Sequence, residues 1–402
     1  MIDFPFLDEV CRKTDSRIVL LVVDGLGGLP HPDTGKSELE TAHTPNLDAL
    51  ASRSACGVTT PVAPGITPGS GPGHLALFGY DPLKYVIGRG VLEALGIGVD
   101  LGSDDIAIRC NFCTLDANGV ITDRRAGRIP TGESAPLVEQ LAKITVPGVE
   151  IIVKPVQDYR FVVVIRGEGL GGDVADTDPQ RTGFRPLEPV GKSDAAVRTA
   201  KKAARFIEAA RDILGGRDTA NMVLMRGFSR RPHWPAFGER YSLSPGAIAA
   251  YPMYRGIASL LGMTVVPTGG DFDAELDTLS EHFDERDFFF IHYKPADAAG
   301  EDGDFYAKVR TLEELDKRVP RLLDLGADVV AVAGDHSTPS SMAAHSWHPV
   351  PLLINSQYTS EGLGTPGFNE RECRTGHLGS LSATSLPLLL LAHAGKLDKF
   401  GA

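Results

Sequence analysis

The sequence predicts an α/β fold, a mainly parallel sheet flanked by helices, with a smaller α+β unit inserted into it. Two observations lead to this class. Apolar runs bounded by turn residues alternate with helical patterns, and the pattern changes to short β-rich runs near the middle of the chain. With 402 residues, the chain also exceeds the size at which one core usually stops growing. We therefore expect a core domain of residues 1–105 and 190–402 and an inserted lid domain of residues 106–189.

The core domain begins with a buried strand, for which the run RIVLLVVDGLGG is typical, and this strand ends at Asp24. A helix over TPNLDALASRSA follows, with Thr44 at its N-cap and Pro45 at its first position. Another helix is expected over HLALFGYD, after Ser70. Beyond the insertion, strands over TVVPTGG, DFFFIHYKPAD and DVVAVAGDHSTP complete the same sheet.

The insertion is predicted from short β-rich runs. AIRCNFCTLD and VITDRR lie on either side of Asn118 and Gly119, which is a strong hairpin signal. Two further strands are expected over VEIIVKP and YRFVVVIRG. The helix SDAAVRTAKKAARFIEAARDIL, capped by Ser193, is then expected to return the chain to the core domain.

Charge and apolar patterning exclude several classes of protein. The formal net charge is −12 and the isoelectric point is near 5.4, which argues against nucleic-acid binding through phosphate neutralisation. No apolar run reaches membrane-spanning length, and the N-terminal run MIDFPFLDEVCRKTD lacks the basic start and apolar centre of a signal peptide. We therefore expect no nucleic-acid partner, no membrane partner and a cytoplasmic location.

The cysteines also favour a reducing compartment. There are five, an odd number, scattered along the chain, which is typical of free thiols. Cys110 and Cys113 form a C-x-x-C pair, but no second pair or nearby histidine completes a zinc site. Packing within a strand is the simpler expectation for this pair, with a structural or redox role as the alternative.

Metal-compatible side chains follow three of the predicted core strands. Asp24 follows the first strand, Asp297 ends IHYKPAD, and Asp335 with His336 ends VAVAGDH. Aspartate before glycine is also an ordinary turn former, so the recurrence carries the prediction. The carboxyl ends of parallel strands lie along one edge of a sheet, so these residues should converge. Mixed carboxylate and imidazole ligands suit manganese, zinc or iron better than calcium, and their number allows two ions.

Ser70 lies in the run PGITPGSGPGHLALFGYDP, where most neighbouring residues are glycine or proline. A serine hydroxyl is a poor nucleophile at neutral pH unless a base or a metal activates it. The adjacent glycines allow a phosphate to approach closely, and the following helix would direct its first N–H groups at an anion. We therefore predict that Ser70 attacks a phosphoryl group. The alternative is a surface loop with an incidental serine.

Several segments of the chain carry a family resemblance: LLVVDGLGGLP, GKSELETAHTPNLDALA, PGITPGSGPGHLALFGYDP, GRGVLEALGIGVDL, IRCNFCTLD with DRRAGRIP, and GDHSTP with HSWHPVPLLI. Together they resemble the archaeal-type, cofactor-independent (2,3-bisphosphoglycerate-independent) phosphoglycerate mutases of the alkaline phosphatase superfamily. They occur in the family's order and cover nearly the whole chain. The resemblance implies an alkaline-phosphatase-like fold.

The resemblance also implies an isomerase of glycolysis and gluconeogenesis that interconverts 3-phosphoglycerate and 2-phosphoglycerate through a phosphoserine. The substrate is then a small phosphorylated hydroxy acid, and Ser70 is the nucleophile. The implied cofactors are two divalent ions, Mn²⁺ first, with Mg²⁺, Co²⁺ or Zn²⁺ as alternatives. One ion would be held by Asp24, Ser70, Asp335 and His336, and the other by Asp297 and His345.

One departure from the family concerns the second metal. The family's D-x-x-G-H motif appears here as Asp297-Ala298-Ala299-Gly300-Glu301. A carboxylate can bind the same ions, so Glu301 is a candidate oxygen ligand, and His348 is the alternative. The sequence leaves the metal identity and the occupancy of this site open.

An acidic protein needs arginines to bind the phosphate and carboxylate of such a substrate. The resemblance places DRRAGRI and DTDP on the substrate face of the lid. The candidate substrate-binding residues are Arg124, Arg125, Arg128, Arg181, His74 and Lys294.

Two other activities compete with the mutase. One is a metal-dependent phosphatase or phosphonate hydrolase of the same superfamily, in which water intercepts the phosphoserine. The other is a homoserine-kinase-like relative. The sequence permits a homo-oligomer without specifying one.

Overall fold

The computed structural model describes residues 6–359 and 364–401. The expectation about a signal peptide falls partly on residues 1–5, which lie outside the described residues. The strands are β1 (Ile18–Val23), β2 (Ala55–Thr60), β3 (Ile106–Leu115), β4 (Ile121–Asp123), β5 (Glu150–Pro155), β6 (Arg160–Arg166), β7 (Met222–Arg230), β8 (Pro245–Ile248), β9 (Thr264–Val265), β10 (Phe288–Tyr293), β11 (Val329–Ala333), β12 (Val350–Ser356) and β13 (Gly379–Ser382).

The helices are α1 (Leu7–Val10), α2 (Glu38–Thr41), α3 (Pro45–Ala51), α4 (Ser70–Leu77), α5 (Arg89–Gly96), α6 (Thr131–Leu141), α7 (Asp194–Leu214), α8 (Phe237–Tyr241), α9 (Pro252–Leu260), α10 (Phe272–His282), α11 (Pro295–Glu301), α12 (Phe305–Asp316), α13 (Val319–Leu323), α14 (Glu370–Arg374) and α15 (Leu386–His393). Short 3₁₀ turns occupy Ala126–Arg128, Phe283–Glu285 and Ala383–Ser385. Within the described ranges, no helix is long and apolar enough to cross a membrane.

The chain divides into two compact units, unit 1 (residues 1–86 and 235–402) and unit 2 (residues 87–234). Unit 1 contains an eight-stranded sheet in the order β13-β2-β12-β11-β1-β10-β8-β9. All of its strand pairs are parallel except the two that β12 makes with β11 and β2. The predicted α/β class with a mainly parallel sheet is therefore confirmed.

The middle of the unit 1 sheet is its most buried part. All six residues of β1 are buried, and β1 lies between the parallel strands β10 and β11. Its odd-numbered side chains, from Val19 to Val23, belong to a core that includes Leu47 and Leu50 of α3 and Leu312 and Leu315 of α12. This continuous apolar run was the clearest strand signal in the sequence, since a strand covered on both faces needs no polar alternation.

Unit 2 contains a separate five-stranded sheet. Its order is β4-β3-β6-β5, and β7 also pairs with β3. Every pair in this sheet is antiparallel. One face packs through Ile108, Phe161 and Val163 against Leu137 of α6 and Phe206 of α7.

The boundaries of unit 2 differ from the expected insertion of residues 106–189. The long helix α7 was expected in the core domain, but its apolar face, including Ala203 and Phe206, is buried in the unit 2 core. Strand β7 likewise pairs with β3, not with the unit 1 sheet. The expected division at residues 105 and 190 was therefore too narrow, because an amphipathic pattern identifies a buried face but not the sheet that covers it.

Local predictions within unit 2 are confirmed. The segment around Asn118 and Gly119 turns β3 into β4, and Gly119 has a φ of 76°, which favours glycine. Ser193 caps α7 through a hydrogen bond that its Oγ accepts from the Ala196 amide at 3.2 Å. Cys110 and Cys113 are buried in β3 and pack into different apolar clusters, so the pair is part of the packed strand.

Candidate active site

Three neighbouring strands of unit 1 bring the acidic residues together. Asp24 follows β1, Asp297 follows β10 in the first turn of α11, and Asp335 follows β11. Because β10, β1 and β11 are adjacent and parallel, their carboxyl ends meet at one edge of the sheet. The loops fit closely: Gly25 has a φ of 65°, and a Cβ there would lie 2.8 Å from the Asp297 Cα.

Ser70 reaches the same edge from α4. This helix begins at Ser70, earlier than the HLALFGYD segment predicted, and its N-cap is Gly69. The Ser70 Oγ lies 3.2 Å from the His336 Nε2. Gly73 explains part of the glycine-rich sequence, because a Cβ at this position would lie only 2.2 Å from the Asp335 carbonyl oxygen. The missing side chain therefore lets α4 pack against the Asp335 loop.

His336 presents a ring nitrogen to two carboxylates. Its Nε2 is 3.3 Å from the Asp24 Oδ1 and 3.2 Å from the Asp335 Oδ2. The Thr338 Oγ1 donates to the Asp297 Oδ1 at 2.7 Å and lies 3.0 Å from the His336 Nδ1. Because the Thr338 hydroxyl already donates its proton to Asp297, the His336 Nδ1 must be the donor in its contact with Thr338, and Nε2 is the ring nitrogen that faces the two carboxylates.

This arrangement fits a cation. The Asp24 Oδ1 and Asp335 Oδ2 atoms are buried and have no hydrogen-bond partner among the described residues. Buried carboxylate oxygens without a hydrogen-bond partner are unfavourable unless a positive charge lies near them. Ligand atoms of Asp24, Asp335 and His336 all lie within 4.8 Å of one another. We call these three residues with Ser70 the first metal group.

Other buried side chains hold the first metal group in place. The His74 Nδ1 lies 2.8 Å from the Ser70 carbonyl oxygen and 3.2 Å from the Asp335 Oδ2. On the other side, the Asp24 Oδ2 accepts a hydrogen bond from the Tyr254 hydroxyl and contacts the His292 Nε2 at 3.2 Å. The Tyr254 and His292 rings stack at 3.6 Å.

His74 was predicted to bind substrate, but the structure places it behind the ligands. It has no exposed surface, and its ring faces Asp335. Burial lowers the pKa of His74, yet the Asp335 and Asp24 carboxylates and the Ser70 carbonyl together raise it more, so the net shift is upward. His292 differs, because burial outweighs Asp24 and lowers its pKa to about 4. His292 is therefore a neutral donor to Asp24.

A second group lies around Asp297. Asp297, His336 and His345 also place ligand atoms within 4.8 Å of one another. The His345 Nε2 is 3.4 Å from the Asp297 Oδ1 and 3.5 Å from the Glu301 Oε1. Because the Nδ1 of His336 already faces Thr338, we assign His336 to the first group. The second metal group is then Asp297, His345 and the half-exposed Glu301.

His345 carries a strongly shifted pKa. Burial lowers it, but the Glu301 hydrogen bond and the Asp297 carboxylate raise it to about 9. The His345 and His336 rings stack with their centroids 3.7 Å apart. His348, the alternative ligand, contacts the Ser346 Oγ at 3.1 Å and joins neither group among the described residues.

Lys294 connects the two metal groups. Its Nζ donates to the Asp24 Oδ2 at 3.1 Å and also to the Asp297 Oδ2. Burial lowers the pKa of Lys294, but the two carboxylates raise it well above its ordinary value. One ammonium therefore neutralises a carboxylate from each group.

Arg124 of unit 2 is committed to an ion pair. Its Nε donates to the Asp178 Oδ1 at 2.9 Å and its Nη2 to the Asp178 Oδ2 at 2.7 Å, and the Asp178 side chain has no exposed surface. Burial raises the pKa of Asp178, but the Arg124 hydrogen bonds and the Gln180 amide lower it below its ordinary value. The structure thus gives Arg124 a structural partner.

We expect Asp178→Asn to destabilise the protein by about 3 kcal/mol at pH 7, because it leaves a partly buried guanidinium without its carboxylate. The folded pKa of Asp178 lies below the unfolded one, so this stabilisation exists above about pH 4 and is lost as pH falls through the folded pKa. In urea unfolding, the free energy of unfolding of Asp178→Asn should lie below that of wild type, and the difference should become smaller as the pH falls. Asp173→Asn is the control, because Asp173 forms an exposed ion pair with Lys192. It should change the free energy of unfolding little at pH 7 or at acid pH.

Arg125 and Arg128 lie on an unusual turn. Ala126, Gly127 and Arg128 have φ values of 48°, 67° and 55°, the left-handed region that costs non-glycine residues energy. The Asp123 carboxylate stabilises the turn by accepting from the Arg125 amide at 2.7 Å and the Gly127 amide at 2.6 Å. Both arginine side chains are exposed. Strain of this kind is typical of functional loops.

Arg181 is exposed, and its guanidinium stacks over the Phe184 ring at 3.9 Å.

A second concentration of positive charge surrounds Glu93 of α5. The Arg109 Nε lies 2.8 Å from the Glu93 Oε1. Burial raises the pKa of Glu93, while four surrounding guanidinium groups act to lower it. The four groups belong to Arg109, Arg160, Arg89 and Arg226. We call these four arginines with Glu93 the Glu93 cluster. Sequence reasoning missed Arg109 and Arg160 as members of this cluster.

Comparison with known proteins identifies the family. Residues 51–219 match the family described as 2,3-bisphosphoglycerate-independent phosphoglycerate mutase. The chain is 50% identical to a probable 2,3-bisphosphoglycerate-independent phosphoglycerate mutase of Thermus thermophilus, with 99% of each chain covered. The chain belongs to this phosphoglycerate mutase family. A relative described in the same words from Thermotoga neapolitana is 51% identical, over 99% of this chain and 98% of the relative.

Solved structures agree with this membership. The PH0037 protein from Pyrococcus horikoshii superposes with a TM-score of 0.83 at 30% identity, covering 96% of this chain and 99% of that one. The cofactor-independent phosphoglycerate mutase from Thermoplasma acidophilum superposes with a TM-score of 0.71 at 29% identity, covering 94% and 100%. Membership in the phosphoglycerate mutase family implies dependence on divalent metal, which the two metal groups fit.

Proposed function

We propose that the chain interconverts 3-phosphoglycerate and 2-phosphoglycerate, through a phosphoserine formed on Ser70. Family membership carries the mutase activity, an isomerisation. The observation that supports Ser70 is its position at the first residue of α4, 3.2 Å from the His336 Nε2 and beside the unpartnered carboxylate oxygens of the first metal group. Among the described residues, Ser70 is the only serine whose hydroxyl contacts the His336 ring.

The proposed chemistry has two balanced transfers. The Ser70 Oγ loses its proton and attacks phosphorus, while the bond from phosphorus to the 3-oxygen of glycerate breaks and that oxygen takes up a proton. The 2-hydroxyl then loses its proton and attacks the phosphorus of the phosphoserine, the bond from phosphorus to the Ser70 Oγ breaks, and Oγ takes up a proton. The amide N–H groups at the start of α4 can stabilise the negative charge of the transferring group.

Asp24, Ser70, Asp335 and His336 would hold one divalent ion, and Asp297, His345 and Glu301 the other. When bound, such ions lower the pKa of the serine hydroxyl and neutralise charge on the phosphoryl oxygens. Mn²⁺ suits this mixed set of carboxylate and imidazole ligands, and Glu301 strengthens the preference, because it adds a hard oxygen ligand where the family motif has histidine. His74 and His292 orient Asp335 and Asp24 from behind.

Unit 2 would bind the anionic ends of the substrate and act as a lid. Arg125, Arg128 and Arg181 have exposed guanidinium groups, and the Glu93 cluster adds partly buried ones. Guanidinium groups bind phosphate and carboxylate in bidentate fashion, which suits a phosphorylated hydroxy acid. Lys294 would neutralise charge on the transferring phosphoryl group. None of the five cysteines, all within the described residues, forms a disulfide, which supports a cytoplasmic location.

The proposed function is tested with metal-stripped protein to which Mn²⁺, Mg²⁺, Co²⁺ or Zn²⁺ is restored singly, without 2,3-bisphosphoglycerate. We expect isomerisation of 3-phosphoglycerate that depends on metal, is strongest with Mn²⁺, and releases little inorganic phosphate. Phosphate release without isomerisation would instead support a phosphatase. Absence of both reactions with every metal would contradict the proposal.

We expect Glu301→Gln to raise the Mn²⁺ concentration for half-maximal isomerisation by about tenfold, because it removes a charged ligand from the second metal group. The Glu301 pKa is already lowered by its hydrogen bond with His345, so the ionised form is present at neutral pH. Asp302→Asn, on the neighbouring exposed residue, is the matched control. An unchanged Mn²⁺ requirement in Glu301→Gln would show that Glu301 is not a ligand.

A further inference from the structure

Lys308 is a wholly buried lysine that the proposed mechanism does not use. It lies on α12 and has no exposed surface. Its Nζ donates hydrogen bonds to the carbonyl oxygens of Gly25 at 2.8 Å, Gly27 at 2.8 Å and Thr338 at 2.9 Å. A neutral amine has only two N–H groups, so three acceptors require the ammonium form.

These carbonyls belong to the two loops that carry the first metal group. Gly25 and Gly27 follow Asp24 at the end of β1, and Thr338 follows Asp335 at the end of β11. The loops also contact each other directly, through the Thr338 amide, which donates to the Gly27 carbonyl at 3.0 Å. One buried ammonium thus joins both loops at a common point.

Two carboxylates, of the buried Glu38 and the partly buried Glu370, fix the far ends of the same loops. The Glu370 Oε1 accepts from the Gly28 amide at 2.7 Å, and the Glu38 Oε1 accepts from the Ser340 amide at 2.7 Å. Burial lowers the pKa of Lys308, and Glu38 and Glu370 offset only part of that shift. The network therefore continues along both loops, away from the metal ligands.

Thr338 extends the network to the second metal group. Its carbonyl accepts from Lys308, and its hydroxyl donates to the Asp297 Oδ1 at 2.7 Å and accepts from the His336 Nδ1. A shift of Thr338 would therefore move Asp297 and rotate the His336 ring together. Loss of the ammonium would leave three buried carbonyl groups without a donor, which strongly favours such a shift.

We propose that Lys308 is a positioning residue, whose ammonium fixes the separation of the Asp24 and Asp335 loops and so sets the metal affinity of the site. This inference rests on the proposed metal-dependent function and deepens it. Because Lys308 has no exposed surface, it is not placed to contact a bound substrate. Its effect on catalysis passes through the geometry of Asp24, His336 and Asp335.

The test is Lys308→Met, which keeps the length of the side chain and removes all three N–H groups. We expect the Mn²⁺ concentration for half-maximal isomerisation to rise at least about tenfold, by analogy with residues that orient metal ligands. The KM for 3-phosphoglycerate should stay within about twofold. The rise in unfolding temperature on adding Mn²⁺ should shrink in parallel, and this second readout does not require mutase activity.

Lys396→Met is the matched control. Lys396 is equally buried, and its Nζ donates to the Thr14 carbonyl at 2.8 Å and to the Asp287 Oδ2 at 3.3 Å, before the starts of β1 and β10. It therefore lies at the opposite end of the parallel strands. Both variants should lose thermal stability, but Lys396→Met should keep the Mn²⁺ requirement of the wild type.

The outcomes separate positioning from stability. If Lys308→Met loses thermal stability but binds Mn²⁺ as Lys396→Met does, the proposal is wrong. Lys308→Arg keeps a charged donor of different shape and covers the case in which the methionine variant does not fold. A weakened Mn²⁺ response in Lys308→Arg supports the proposal, and a wild-type response in a destabilised Lys308→Arg overturns it. If wild type responds to Mn²⁺ without isomerising the substrate, the proposed function fails while the Lys308 comparison still stands.

Discussion

Ser70→Ala is expected to lower the rate of isomerisation by roughly four orders of magnitude or more, because it removes the atom proposed to receive the phosphoryl group. The folded structure should change little. Alanine is a good helix former at the first position of α4, and the contact of His74 with position 70 is made through the backbone carbonyl. The loss should therefore appear in kcat, with metal-induced stabilisation largely retained by Asp24, Asp335 and His336.

Two measurements distinguish this loss from a general disturbance of the site. Wild type incubated with 3-phosphoglycerate and quenched in acid should carry one phosphoryl group on Ser70, detectable by peptide mass spectrometry, and Ser70→Ala should carry none. Ser337→Ala is the matched control, since Ser337 is buried nearby and its hydroxyl donates to the His348 carbonyl at 3.1 Å. Substantial activity in Ser70→Ala, or its loss in both variants alike, would contradict the assignment of Ser70 as nucleophile.

The three strands that position the site could be predicted from sequence because each signal is local. An apolar run that ends in aspartate identifies both a buried strand and the residue at its carboxyl end, as at Asp24 and Asp335. The order of those strands in the sheet is not local information. That β1 lies between β10 and β11 is what brings the carboxylates together, and only the structure shows it.

The residues that sequence reasoning missed are single polar side chains inside apolar patterns. His292 interrupts the run DFFFIHY, and Tyr254 and Lys308 lie on amphipathic helices where a polar residue is usually exposed. Their roles depend on the direction in which each side chain points. Hydrophobic periodicity predicts which face of a helix or strand is buried, but not the orientation of a single polar residue within it. A histidine within an otherwise buried strand was the one available signal, since a buried polar side chain needs a partner.

Arg124 shows the opposite limitation. The DRRAGR sequence identified a cluster of positive charge, but not which guanidinium already has a buried carboxylate partner. Asp178 lies far from Arg124 in sequence, and their bidentate contact depends on how the chain folds between them. Arg125 and Arg128 remain exposed on the same turn, so they are the better candidates for substrate binding.

Asp335→Asn is expected to lower isomerisation at least about a hundredfold at low Mn²⁺, because residues that merely orient metal ligands already cost ten- to a hundredfold when changed. The Asp335 Oδ1 accepts from the Gly25 amide at 3.2 Å and the His336 amide at 3.1 Å, while Oδ2 faces the ring nitrogens of His74 and His336. Asparagine can keep the first pair of contacts through its carbonyl oxygen. Its amino group would then occupy the Oδ2 position, where it removes both the negative charge and the lone pairs that a cation needs.

Metal binding should decide between a ligand and a structural role for Asp335. In Asp335→Asn, the rise in unfolding temperature on adding Mn²⁺ should fall sharply, and high Mn²⁺ should recover only part of the activity. Asp316→Asn is the matched control, because Asp316 is a buried aspartate whose carboxylate accepts from the Leu47 amide at 2.7 Å, at the start of α3. That variant should lose stability while keeping its Mn²⁺ response. If Asp335→Asn behaves in the same way, Asp335 is a structural acceptor, and the first metal group has been assigned to the wrong residues.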